Sequence, residues 1–148
     1  MGPLTIHFYA IAILTGIAVA IYWGNARFVA AGGAPGRVSE VAIVAVPMGV
    51  IGGRIYHVIS SPQGYFGDNG RPIEIFYIWQ GGLGIWGAIS LGLAAAWWSF
   101  KRNKISAANS LTFGVFADAL APGVVVAQAI GRWGNWFNVE LFGRPTTL

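Results

Sequence analysis

Apolar residues fall in four long runs separated by short polar or glycine-rich stretches. The runs extend from about Leu4 to Trp23, Val38 to Ile59, Ile75 to Phe100 and Ala107 to Ile130. Each is close to or above the roughly 20 residues a helix needs to cross a bilayer. None alternates with period two, so barrel strands are excluded as the reading of these runs. The pattern predicts an all-α polytopic integral membrane protein of about four transmembrane helices. Gly32 to Gly36 and Ser61 to Pro72 are predicted turns, the second also carrying Asp68 and Asn69. No repeat, linker or second domain is evident, and residues 1–148 are read as a single transmembrane domain.

Composition supports that solvent assignment. Hydrophobic residues make up 55% of the 148 and charged residues 9%, against about 25% charged in soluble domains. A soluble chain could not cover its surface with so few charges. Glycine occurs 22 times, and small residues let membrane helices approach closely. With no cysteine, disulfides and thiolate metal sites are excluded. The net charge of +4 lacks the basic cluster with interleaved aromatics expected for nucleic acid, and no nucleic-acid partner is expected.

The basic residues have a topological order. Arg27 and Arg37 lie between the first two runs, and Lys101, Arg102 and Lys104 between the last two. The Ser60–Glu74 loop carries Arg71 beside Asp68 and Glu74. The positive-inside bias puts the two basic loops in the cytoplasm and the N-terminus outside. The first run is read as an uncleaved helix rather than a signal peptide, because no basic residue precedes it. Trp23, Trp79, Trp97 and Trp98 sit near run ends, as interfacial tryptophans do.

Ionisable groups inside the runs mark candidate chemistry, since burying one costs roughly 2.5–3.5 kcal/mol on insertion scales. Arg54 and Asp118 qualify by depth, and Arg132 lies at the end of the fourth run. If that run is helical throughout, Asp118, Gln128, Arg132 and Asn135 share one face, which must meet water or protein rather than lipid. An internal Asp118–Arg54 pair that only orders the bundle is the competing reading of those two residues. The segment "GRWGNWFNVELFGR" (Gly131 to Arg144) is denser in polar groups. Arg132 offers a planar five-donor fork suited to phosphate. Asn135 and Asn138 add amides, Glu140 can hold an arginine or a hydroxyl, and Gly134 and Gly143 leave room for close approach. Together they predict a site for an anionic, hydroxyl-bearing lipid head group at the outer boundary.

The same segment resembles the signature of the bacterial prolipoprotein diacylglyceryl transferases, G-R-x-G-N-[FW]-x-N-x-E-x-x-G, at Gly131, Arg132, Gly134, Asn135, Asn138, Glu140 and Gly143. "GPLTIHFYAI" (Gly2 to Ile11), "GGRIYHV" (Gly52 to Val58), "IWQGGLGIWGA" (Ile78 to Ala88) and "DALAPGVVVAQAIGR" (Asp118 to Arg132) are similar to further family segments in the same order. The resemblance covers essentially the whole chain and is strongest to an actinobacterial-like branch. It implies an enzyme of the bacterial plasma (inner) membrane. That enzyme moves diacylglyceryl from phosphatidylglycerol to the lipobox cysteine thiol of a prolipoprotein signal peptide, the first step of lipoprotein maturation. It implies a catalytic role for Arg132 on the phosphate and for Tyr9, which matches a family tyrosine. It also implies substrate-binding roles for Asn135, Asn138, Glu140, Gly143, Arg54 and Asp118. No metal or redox cofactor follows from it.

Two departures stand out. Trp86 occupies a position where many relatives have the histidine proposed as base, and neither His7 nor His57 is a strong substitute. The family also continues well beyond the signature, so the chain is expected to be the N-terminal part of a longer transferase. Other readings are a non-catalytic phospholipid-binding membrane module and a small transporter. The latter would show an internal symmetry that is not found between the halves.

Overall fold

The computed structural model describes residues 8–66, 70–78, 81–102 and 111–138, the side chains of Phe8, Tyr9, Asn135, Phe137 and Asn138 excepted. The described residues form α1 (Phe8–Ala30), α2 (Arg37–Ser60), the one-turn α3 (Gln63–Phe66), a 3-10 helix at Pro72–Phe76, α4 (Ile85–Arg102) and α5 (Phe113–Asn138). No strand occurs among them. Among the described residues three helices are long and apolar enough to cross a membrane: Ala10–Ala30, Arg37–Ser60 and Phe113–Gly134. The protein is an all-α membrane protein.

The chain divides into two compact units, residues 1–38 with 111–148 and residues 39–110. In the first unit α1 and α5 lie together. A methyl carbon on Gly16 would stand 2.9 Å from the carbonyl oxygen of Ala127, and one on Gly123 would stand 3.1 Å from the Cα of Ala20. Only glycine permits backbones this close, as at small-residue crossings between membrane helices. Phe28, fully buried, meets Phe116 edge-on with ring centroids 5.3 Å apart, and Phe113 stacks on Phe116 at 5.8 Å. α1 ends in a Schellman turn. Gly32 has φ of 93°, Gly33 N–H donates to Phe28 O at 2.9 Å and Gly32 N–H to Val29 O at 3.0 Å. The Gly36 N–H then donates to Asn25 Oδ1 at 2.8 Å. Thr112 caps α5, its Oγ1 accepting from Val115 N–H at 3.3 Å.

The first helix runs seven residues past the expected end at Trp23. Asn25 and Arg27 lowered the hydropathy there, yet the helix continues far enough to seat Phe28. α2 and α5 run unbroken through Pro47 and Pro122.

In the second unit α4 packs along α2 through glycines. Positions for a methyl on Gly52 and on Gly87 are each filled by the other residue's carbonyl group, and the Gly49 and Gly92 backbones also touch. The third apolar run is not one helix. It opens with the 3-10 turn, passes through the Gly81–Gly84 stretch and becomes helical at Ile85. Gly81 and Gly82 have φ of 86° and 75°, which an α-helix cannot contain. α4 is therefore 18 residues long, about 27 Å at 1.5 Å per residue. It ends in Lys101 and Arg102, which is why it is not among the three span-capable helices. Those two cations lie over the rings of Trp97 and Trp98, at 4.0 and 4.9 Å from the centroids. Such pairs are suited to a helix end at the head-group boundary.

Candidate functional site

The first unit gathers polar groups at one end and along one face of α5. Asp118, Gln128 and Arg132 are all exposed. The helix is continuous from Phe113 to Asn138, so at 100° per residue these three and Asn135 fall within an arc of about 100°. Ala119, Gly123 and Ala127, which turn inward or meet α1, lie nearly opposite. The packing face and the polar face of one helix are thus separated. Asp118, Gln128 and Arg132 on a span-capable helix must meet water or protein groups rather than acyl chains.

The crossing of α1 and α5 also fixes which ends meet. Gly16 lies against Ala127, Ala20 against Gly123 and Gly24 against Leu120, so the helices are antiparallel with a constant register. Continued seven residues towards the start of α1, that register brings Tyr9 to the level of Gly134, between Arg132 and Asn135. Gly134 is buried, while Trp133 and Trp136 are 78% and 82% exposed. Exposed tryptophans beside an arginine at a helix end match the head-group level of a bilayer. Four expected residues, Tyr9, Arg132, Asn135 and Asn138, therefore sit at one end of this unit. Glu140 and Gly143 lie outside the described residues.

The second unit holds Arg54, which is 7% exposed. Its Nε donates to Ile75 O at 2.7 Å, and its Nη1 donates to Gly81 O at 2.7 Å and Gly82 O at 3.1 Å. Its Nη2 donates to Glu74 O. The guanidinium also lies 5.4 Å from the centroid of the buried Tyr65 ring. Arg54 and Asp118 belong to different units, and the four bonds of Arg54 go to backbone carbonyls of its own unit. The carboxylate of Glu74 faces Arg71, at 3.6 Å. His57, one turn beyond Arg54, packs edge-on to Tyr65 at 6.1 Å and against Gly82. Sequence reasoning missed Tyr65 and the Gly81–Gly82 pair as partners of Arg54. The consecutive glycines were the available signal, since a left-handed backbone with exposed carbonyls is what a buried guanidinium can bind. Trp86, in the first turn of α4, is 66% exposed.

The whole length of the chain, residues 1–148, matches a family model described as prolipoprotein diacylglyceryl transferase. The chain belongs to that family. It is 53% identical over 148 residues to a phosphatidylglycerol–prolipoprotein diacylglyceryl transferase of Streptomyces coelicolor, and 55% identical over 148 residues to one of Cutibacterium acnes. A Nocardia farcinica protein of the same name is 51% identical over the same 148 residues. All of this chain is covered in each case, and 45%, 48% and 29% of those relatives respectively. The chain spans less than half the length of these curated relatives.

Proposed function

We propose that the protein acts in transfer of diacylglyceryl from phosphatidylglycerol to the lipobox cysteine thiol of a prolipoprotein, as a multi-pass protein of the bacterial plasma membrane. The observation that carries this reading is identity of 49–55% across the 148 residues of this chain to relatives named phosphatidylglycerol–prolipoprotein diacylglyceryl transferase. The placement of Tyr9, Arg132 and Asn135 at one end of the α1–α5 pair supports it.

The chemistry explains the residue types. A sulfur–carbon bond forms at the terminal glyceryl carbon, and the carbon–oxygen bond to phosphate breaks. The electron pair goes to the phosphate oxygen, the thiol's proton passes to the phosphate group being released, and glycerol 1-phosphate leaves. Negative charge grows on the departing phosphate ester. Arg132 is the group suited to hold it, because a planar fork binds two phosphate oxygens at once. Asn135, Asn138 and Glu140 orient the glycerol hydroxyls and brace the arginine, with Gly143 leaving room for them. Tyr9 reaches the same end from α1 and hydrogen-bonds the substrate. Asp118 lies about four turns from Arg132 on the α5 face and lines the polar path rather than the reacting end. Arg54 has four donors held by carbonyls, so direct phosphate binding is assigned to Arg132 instead. The prolipoprotein thiol reacts as thiolate.

The test is thioether formation on a lipobox peptide in phosphatidylglycerol membranes. Mass spectrometry of the peptide should show added diacylglyceryl, and replacing phosphatidylglycerol by phosphatidylcholine should abolish it. Binding of phosphatidylglycerol without any transfer would instead favour a non-catalytic lipid-binding module.

A further inference from the structure

We propose that Arg54 is a positioning residue that fixes the Glu74–Ile75 and Gly81–Gly82 turns against the end of α2, and thereby the first turn of α4 with Trp86. Its relevance to transfer rests on the reading above; the clamp itself does not.

Four of the five guanidinium N–H groups are used, and every acceptor lies in the stretch from Glu74 to Gly82. The acceptors come from two separate turns, Glu74–Ile75 and Gly81–Gly82, so one side chain ties both to α2. Among the described residues no carboxylate pairs with Arg54; the charge is balanced by carbonyl dipoles and the Tyr65 ring face. A buried cation stranded without partners is costly, so the stretch and the arginine depend on each other.

Glycine geometry supports the same assignment independently. Gly81 and Gly82 both have left-handed φ. A methyl carbon on Gly82 would stand 2.6 Å from His57 Nε2 and 2.8 Å from Arg54 Nη1. Two residues later the Gly84 N–H donates to Gly53 O at 2.8 Å. Ile85 then opens α4, and Gly87 settles against Gly52. The grip at Gly81–Gly82 is therefore continuous with the α2–α4 contact. Lysine cannot substitute, because a point charge with three donors on one atom does not span acceptors served by Nε, Nη1 and Nη2.

Backbone hydrogen exchange in nanodiscs of phosphatidylglycerol and phosphatidylcholine tests the clamp without reference to activity. Arg54→Lys, Arg54→Met and Gly82→Ala should each speed exchange across residues 74–78 and 81–88 by roughly tenfold or more, leaving α1 and α5 unchanged. Unchanged exchange in Arg54→Lys or in Gly82→Ala would overturn the proposal, and so would a rise spread equally over α1 and α5. Where wild-type protein transfers diacylglyceryl, Arg54→Lys should lower kcat with little change in KM for phosphatidylglycerol. A raised KM at unchanged kcat would make Arg54 a substrate ligand instead. Absence of transfer by a chain that carries these residues together with the remaining length of the relatives would refute the transferase reading, while the exchange result would still decide the clamp.

Discussion

Gly16 of α1 and Ala127 of α5 meet backbone to backbone, so closely that a methyl on Gly16 would stand 2.9 Å from the Ala127 carbonyl oxygen. This contact sets the register that brings Tyr9 level with Arg132 and Asn135. The fold thus connects a packing detail within the α1–α5 pair to the residues gathered at one end of it.

Gly16→Ala should destabilise the protein by about 1–3 kcal/mol through overpacking. Because the nearest atom is a main-chain oxygen, Ala127→Gly should not rescue it. Gly131→Ala, which meets open space, should change stability by less than about 0.5 kcal/mol. Denaturant unfolding in detergent measures all three. Full rescue by Ala127→Gly would show that the helices meet through side chains.

Gly82→Ala combines a left-handed backbone, costing about 1–2 kcal/mol for other residues, with a clash against His57 and Arg54. It should lower stability by about 2 kcal/mol or more, whereas Gly64→Ala in α3, with nothing within 4 Å, should be nearly neutral. Thermal unfolding of the two variants side by side decides this. Equal midpoints would remove the constraint assigned to position 82.

Phe28, near the end of α1, is fully buried against Phe116. Phe28→Ala should cost about 3–5 kcal/mol and Phe28→Leu clearly less. The measurement is the unfolding midpoint in denaturant at constant slope. A loss under about 1 kcal/mol for the alanine variant would mean the α1 end is not anchored there.

The charge order places the α1–α2 turn in the cytoplasm and the α2–α3 turn outside. Single cysteines at Ala34 and Gln63, both exposed, report this with an impermeant thiol reagent on intact cells. Labelling should occur at position 63 and not at 34; the reverse would invert the topology.

Much of this was legible in the sequence. Runs of apolar residues gave the helical class and placed α2 to within one residue at each end, because hydropathy and length control membrane helices; α5 begins six residues later and ends eight residues later than its run. The polar face of α5 followed from helical spacing alone. Two features were not legible. The late start of α4 depends on left-handed φ at Gly81 and Gly82, which a hydropathy pattern averages away. The partners of Arg54 are carbonyl oxygens, which belong to every residue, so beyond the consecutive glycines at 81 and 82 no residue type points to them. A carboxylate was the natural guess for a buried arginine, and Asp118 was the one other residue at comparable depth.

Phosphate holding by Arg132 is the central proposal for the transfer chemistry. Loss of a donor aimed at developing charge typically costs about 10²–10³ in rate, and lysine does not reproduce a two-point phosphate contact. In membranes where the wild-type protein forms thioether, Arg132→Lys should slow transfer by at least about 10²-fold and Arg132→Ala by more, at equal protein level by immunoblot. Near-normal turnover by Arg132→Lys would contradict the assignment and move the phosphate site away from the end of α5.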